Sequence, residues 1–163
     1  MDLSIAFDSS GSIHPTLFQQ LKDNLIELVE KLELPFNQEA FVSLIGFSDR
    51  VILSEFYVPN SQYKMLIKTR LENFPYQGRS TATALALKSI REKIFVQDRG
   101  NQFTPKISII YLDGTNNESL DKVKLEADLL KNKNVNSFVI GYGNNINSTS
   151  IEIIASEPVN NFL

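Results

Sequence analysis

The sequence predicts an α/β domain built on a doubly wound, mostly parallel six-stranded sheet, with one antiparallel edge strand and helices on both faces. Three observations predict it. Several segments are continuous apolar runs and not polar–apolar alternations, as befits strands buried on both faces. Stretches with helical periodicity lie between them, and strand–helix alternation of this kind implies parallel crossovers. At 163 residues, with 42% hydrophobic and 21% charged side chains, one such domain can bury its own core.

The elements follow in chain order. "LSIAF" (Leu3–Phe7) is the first strand. Pro15 suits the first turn of a helix running to Leu32, with Leu17, Leu21, Leu25, Leu28 and Leu32 on one face and Phe18 and Val29 beside them. "AFVSLIGF" (Ala40–Phe47) is the second strand, and "RVILSEF" (Arg50–Phe56) follows after a hairpin-length link, which marks an antiparallel edge strand. Ser61–Phe74 reads as a shorter helix and Thr81–Phe95 as a longer one, with Leu85, Leu87, Ile90 and Ile94 as its apolar side. "ISIIYL" (Ile107–Leu112), a helix over Leu120–Leu130, "VNSFVIGYG" (Val135–Gly143) and a helix over Ser150–Ala155 complete the pattern, with "VNNFL" as the sixth strand. Phe41, Phe47, Tyr111, Phe138 and Tyr142 fall in strand runs and are read as core, while Lys22, Asp23 and Glu27 are read as solvated surface. No repeat or linker divides residues 1–163, so the architecture expected is one Rossmann-like domain.

Composition removes several functions. The net charge is −3 and no run of Lys or Arg exceeds two residues, so nothing favours nucleic acid or an anionic membrane surface. No apolar stretch is long enough for a membrane span, and no signal peptide precedes the first strand, so the chain reads as an excised domain. There is no cysteine, hence no disulfide, thiolate nucleophile or thiolate metal site. Asn117 and Asn147 head glycosylation sequons, but about two are expected by chance in so Asn- and Ser-rich a chain, and alone they do not argue for secretion.

The informative residues gather where strands end. "AFDSSGSIHP" (Ala6–Pro15) turns from an apolar run into Asp8, Ser10 and Ser12 at alternate positions. Asp113 ends "ISIIYL", and "GRSTAT" (Gly78–Thr83) opens the second long helix. In doubly wound sheets ligands bind outside the carboxyl ends of the strands, so these three loops bring two aspartates, two serines and a threonine to one place. Such a set suits a hard dication such as magnesium, which takes oxygen ligands. Neutral hydroxyls leave the ion short of negative charge and able to attract a carboxylate from outside. Two aspartates without a cation would instead repel each other.

Each motif alone has a plainer reading. D-x-S-x-S and "GRSTAT" can be helix caps, and "LDG" can be a turn. His14, the sole histidine, reads as an exposed loop residue; a Ser–His–Asp triad lacks its G-x-S-x-G elbow. "GYG" (Gly141–Gly143) lacks the Lys and glycine spacing of a phosphate loop.

Together, "DLSIAFDSSGSIHPTLF", "GFSDRV", "GRSTATALAL", "IIYLDG" and "FVIGYG…IASEPVNNF" resemble, in order and across essentially the whole chain, successive blocks of a von Willebrand factor A domain of the matrilin/collagen or integrin inserted-domain kind. The resemblance implies a metal-ion-dependent adhesion site on Asp8, Ser10, Ser12, Thr81 and Asp113. Thr81 is chosen over Ser80 and Thr83 because "TATALAL" fits the family's T-x-T-[GA] block without a gap. In that pattern Ser10 and Ser12 coordinate directly, Thr81 alternates between direct and indirect contact, and Asp8 and Asp113 act largely through water.

The implied function is an extracellular, non-enzymatic module in which magnesium or manganese accepts an acidic side chain of a protein ligand. The sequence departs from the family at Leu112, where Thr is usual, and stops before the family's final helix, which leaves open whether a conformational switch exists. Two alternatives stand beside it. One is a scaffold domain of the same fold without metal-dependent binding. The other is a magnesium-dependent phosphatase with Asp8 as nucleophile, which needs a second acid where Ser10 stands.

Overall fold

β1 (Asp2–Asp8) lies at the middle of a five-stranded sheet in which all seven of its residues are buried. The computed structural model describes residues 1–33, 41–57, 62–96, 104–143 and 146–156. Parallel partners flank β1: β2 (Phe41–Phe47) on one side and β4 (Lys106–Leu112) on the other. β3 (Val51–Tyr57) runs antiparallel outside β2, and β5 (Val135–Gly141) runs parallel outside β4, giving the order β3-β2-β1-β4-β5. The expected antiparallel edge strand is therefore present. It starts at Val51, since Arg50 is spent in the turn, where its carbonyl accepts the Ser48 amide at 3.0 Å. The proposed sixth strand, "VNNFL", lies outside the described residues.

Chain connections leave β1 toward β2 and return to β4 on its other side, so the strand order reverses between β1 and β4. α1 (Pro15–Lys31) and α2 (Tyr63–Glu72) cover one face, packing Phe18, Leu21, Leu25, Ile67 and Leu71 against Leu3, Ile5, Phe7, Val42 and Leu44. α3 (Thr83–Ser89), α4 (Leu120–Lys131) and α5 (Ser148–Ile154) cover the other, where Ala6, Ile45, Phe47, Ile110, Leu112 and Val139 meet them. Two buried layers around a sheet explain the unbroken apolar strands.

Several local details depart from the sequence reading. The second long helix starts at Thr83, not Thr81, and continues beyond Ser89 as a π turn over Ile90–Ile94, closed by the Phe95 amide on the Ile90 carbonyl at 3.0 Å. Leu85, assigned to its apolar side, is exposed. Lys22 is not surface: it is buried, and its Nζ donates to the Glu72 carbonyl at the end of α2 across 3.0 Å. Of the aromatics assigned to the core, Phe47 is fully buried, whereas Tyr111 and Tyr142 are half-buried. Gly46 has a packing reason, because a Cβ there would lie 2.1 Å from the Phe74 ring, which packs edge-on to Phe7.

A row of serines crosses the sheet. Ser43, Ser4, Ser108 and Ser137 are in register on four adjacent strands, all buried beneath the α3–α5 layer. None of the four hydroxyls has a hydrogen-bond partner among the described residues.

Candidate metal centre

The same short turn ends both β1 and β4. After β1, the Ser10 amide donates to Asp8 Oδ1 at 2.7 Å; after β4, the Thr115 amide and hydroxyl donate to Asp113 Oδ1 at 2.8 and 2.7 Å. An aspartate followed two residues later by Ser or Thr folds back in this way because its carboxylate satisfies amides that the sheet no longer pairs. Phe7 is in register with Tyr111, which sets Asp8 level with Leu112, so Asp113 follows one residue beyond on the adjacent strand, close enough for its charge to act on the Asp8 carboxyl. Gly114 makes the second turn feasible: its φ is +77°, and a Cβ would lie 2.2 Å from the Asn147 carbonyl oxygen.

Three hydroxyls continue the cluster. Thr81 Oγ1 donates to Ser10 Oγ at 2.9 Å, and the Ser10 and Ser12 hydroxyls lie 2.9 Å apart. Asp8, Ser10, Thr81 and Asp113 are buried, while Ser12 is exposed at the rim. Thr81 is positioned by the connection between β4 and α4. Its amide donates to Asn117 Oδ1 at 2.7 Å and its carbonyl accepts the Asn117 amide at 3.0 Å, which keeps residue 81 out of α3. Glu118 Oε2 accepts the Ala84 amide at 2.7 Å, satisfying one free N–H of the first turn.

Backbone bonds tie the loops together. Gly11 N donates to the Arg79 carbonyl at 2.7 Å, Gly78 N to that of Ser9 at 2.9 Å, and Asn147 N to that of Asp113 at 2.7 Å. Tyr76 supports the first loop from below, its hydroxyl donating to the Ile13 carbonyl at 2.8 Å.

The electrostatics single out Asp8. Burial pushes its carboxyl from 3.8 up to about 6, against the hydrogen bonds from Ser10 that pull it down, and the Asp113 charge adds to the rise. Its Oδ2 is buried without a partner among the described residues, as is Thr83 Oγ1. A buried, unpaired carboxylate oxygen beside a second carboxylate is costly unless a cation joins them. No cluster of three or more His, Cys, Asp or Glu occurs among the described residues, so the donors here are two carboxylates and a set of hydroxyls. That is hard oxygen chemistry, which fits magnesium, manganese or a similar dication.

All five residues singled out in the sequence thus belong to one edge of the sheet. His14 stands apart: it is exposed and caps α1, its Nδ1 accepting the Thr16 amide at 3.3 Å. Thr115, Asn117 and Tyr76 were not foreseen at this centre, Asn117 having been marked only as the head of a sequon. Thr115 had a signal, since "DGT" repeats the aspartate–hydroxyl spacing of "DSS"; the other two had none.

Comparison with known proteins shows the family to which this fold belongs. The family model of the von Willebrand factor type A domain matches residues 2–163. Mouse collagen alpha-4(VI) chain is 34% identical over 99% of this chain, and chicken matrilin-1 is 31% identical over 98%. The chain spans 7% and 31% of those two proteins' lengths. Among solved structures, proximal thread matrix protein 1 from the mussel byssus, with a zinc-occupied MIDAS motif, is 28% identical with a TM-score of 0.80, covering 95% of this chain and 41% of that one. The extracellular setting expected from the sequence agrees with these matrix relatives.

Proposed function

Because this chain belongs to the von Willebrand factor type A domain family, we propose that it is a divalent-cation-dependent, non-enzymatic protein-binding module of the extracellular matrix or cell surface. The observation that carries the reading is the buried, unpartnered Asp8 Oδ2 next to Asp113 and the Thr81–Ser10–Ser12 hydroxyl chain. Asp8, Ser10, Ser12, Thr81 and Asp113 would hold a magnesium or manganese ion, which would offer a coordination position to an acidic side chain of a protein ligand.

The residues of the chain divide the work. Asp8 and Asp113 supply the negative charge, and their turns hold each carboxylate through amides two residues on. Ser10, Ser12 and Thr81 offer neutral oxygens, which hold a dication without cancelling its charge. Asn117 keeps Thr81 facing the centre. Catalysis has no support here: the position two residues after Asp8 is Ser10, whose hydroxyl is bonded to those of Thr81 and Ser12.

Titration calorimetry with manganese and with magnesium tests the reading. Heat and a rise in melting temperature are expected for the native chain, and both should disappear in Asp8→Ala/Asp113→Ala. A native chain that shows neither, or a double variant that binds manganese undiminished, overturns it; the first result favours the scaffold alternative.

A further inference from the structure

Asn117-Glu118-Ser119 and Asn147-Ser148-Thr149 are both Asn-x-Ser/Thr triplets. As sequence they carry little weight, but their placement is informative. They belong to different connections, between β4 and α4 and between β5 and α5, yet each is bonded through its backbone to a residue of the candidate metal centre. Asn117 N donates to the Thr81 carbonyl at 3.0 Å and Asn147 N to the Asp113 carbonyl at 2.7 Å. Both asparagines are exposed, as are Ser119 and Thr149. In both, the carboxamide oxygen is occupied: Asn117 Oδ1 accepts the Thr81 amide at 2.7 Å and Asn147 Oδ1 the Thr149 amide at 3.1 Å. Since only an oxygen can accept there, the other terminal atom is the nitrogen. Neither Nδ2 has a hydrogen-bond partner among the described residues.

We propose that Asn117 and Asn147 are N-glycosylated, so that two oligosaccharides flank the centre on its β4–β5 side. The donor class is an oligosaccharide carried on a lipid diphosphate in the secretory compartment. Nδ2 loses a proton and bonds to the anomeric carbon, whose bond to the diphosphate oxygen breaks, and the lipid diphosphate leaves. Because Oδ1 rather than Nδ2 makes the structural bond at both sites, the sugar is compatible with the Thr81 contact and with the cap of α5. N-linked sugar is bulky and hydrated. It would leave the β2–β3 side, where Arg79 pairs with Asp49 across 3.3 Å, as the open approach for a ligand. The modification rests on the extracellular setting of the proposed function but not on its cation; only this last consequence rests on the metal-dependent binding.

The experiment is mass spectrometry of the chain secreted from animal cells, before and after peptide-N-glycosidase in heavy-oxygen water. The expected result is loss of two oligosaccharides, with labelled Asp at positions 117 and 147. Ser119→Ala should abolish the first and Thr149→Ala the second while leaving both asparagines in place, and Asn117→Gln and Asn147→Gln provide a second pair of variants. A secreted native chain with no mass change, or with label at one position only, overturns the proposal. Since no cation enters this measurement, it stands or falls apart from the manganese titration.

Discussion

Asp8 is a carboxylate that the fold holds at a disadvantage. Its folded-state value of about 6 lies above the ordinary 3.8, so between these values the folded chain holds a proton that the unfolded chain has released. Stability from this group is therefore present at acid pH and drains away as pH rises from roughly 4 to 6, amounting to roughly 3 kcal/mol by neutrality. Asp8→Asn, which buries no charge, should be more stable than the native chain by about that much at pH 7 without cation, and equal to it at pH 4. Urea unfolding at the two pH values measures this; a difference that is the same at both would refute it. The same variant should lose its manganese heat. Asp8 was legible because D-x-S-x-S interrupts an apolar run. Asn117 was not, because a carboxamide that meets residue 81 only in three dimensions leaves no local pattern.

The strands were legible as elements because burial on both faces writes them as apolar runs, but the same runs concealed the serine row. "LSIAF", "FVSLIGF", "ISIIYL" and "VNSFVIG" each contain one serine, and only parallel register aligns Ser4, Ser43, Ser108 and Ser137. A buried hydroxyl without a partner costs about 1–3 kcal/mol. Substituting any of these four by Ala, which keeps nearly the same volume, should therefore leave stability unchanged or raise it by about 1 kcal/mol. Denaturant midpoints of the four single variants measure this, and a loss above that size would show that the hydroxyls are satisfied in solution. The start of α3 was misread for a physical reason: the Thr81 amide is held by Asn117, and helical periodicity carries no trace of a bond from a distant loop.

At the scale of the molecule, a cation that binds only the folded chain adds to its stability by mass action. At a hundred times its dissociation constant, manganese should contribute about 2.7 kcal/mol, a rise in melting temperature of roughly 5–10 °C for a domain of this size. A chelator should reverse it, and differential scanning calorimetry reads both. A melting temperature indifferent to manganese and chelator would contradict the metal reading. The overall topology was legible because alternating strands and helices leave few right-handed arrangements. Which hydroxyl would face the centre was not legible from periodicity and came from matching a block of residues.

The backbone bonds from Ser9 to Gly78, from Thr81 to Asn117 and from Asp113 to Asn147 have a consequence for motion. They link four connections, far apart in sequence, like the hoops of a barrel. No one loop can open without dragging at its neighbour, so slow fluctuations of this rim are collective. Their amide protons should therefore exchange with solvent as one unit, which native-state hydrogen exchange reads; unequal protection along the rim would contradict it.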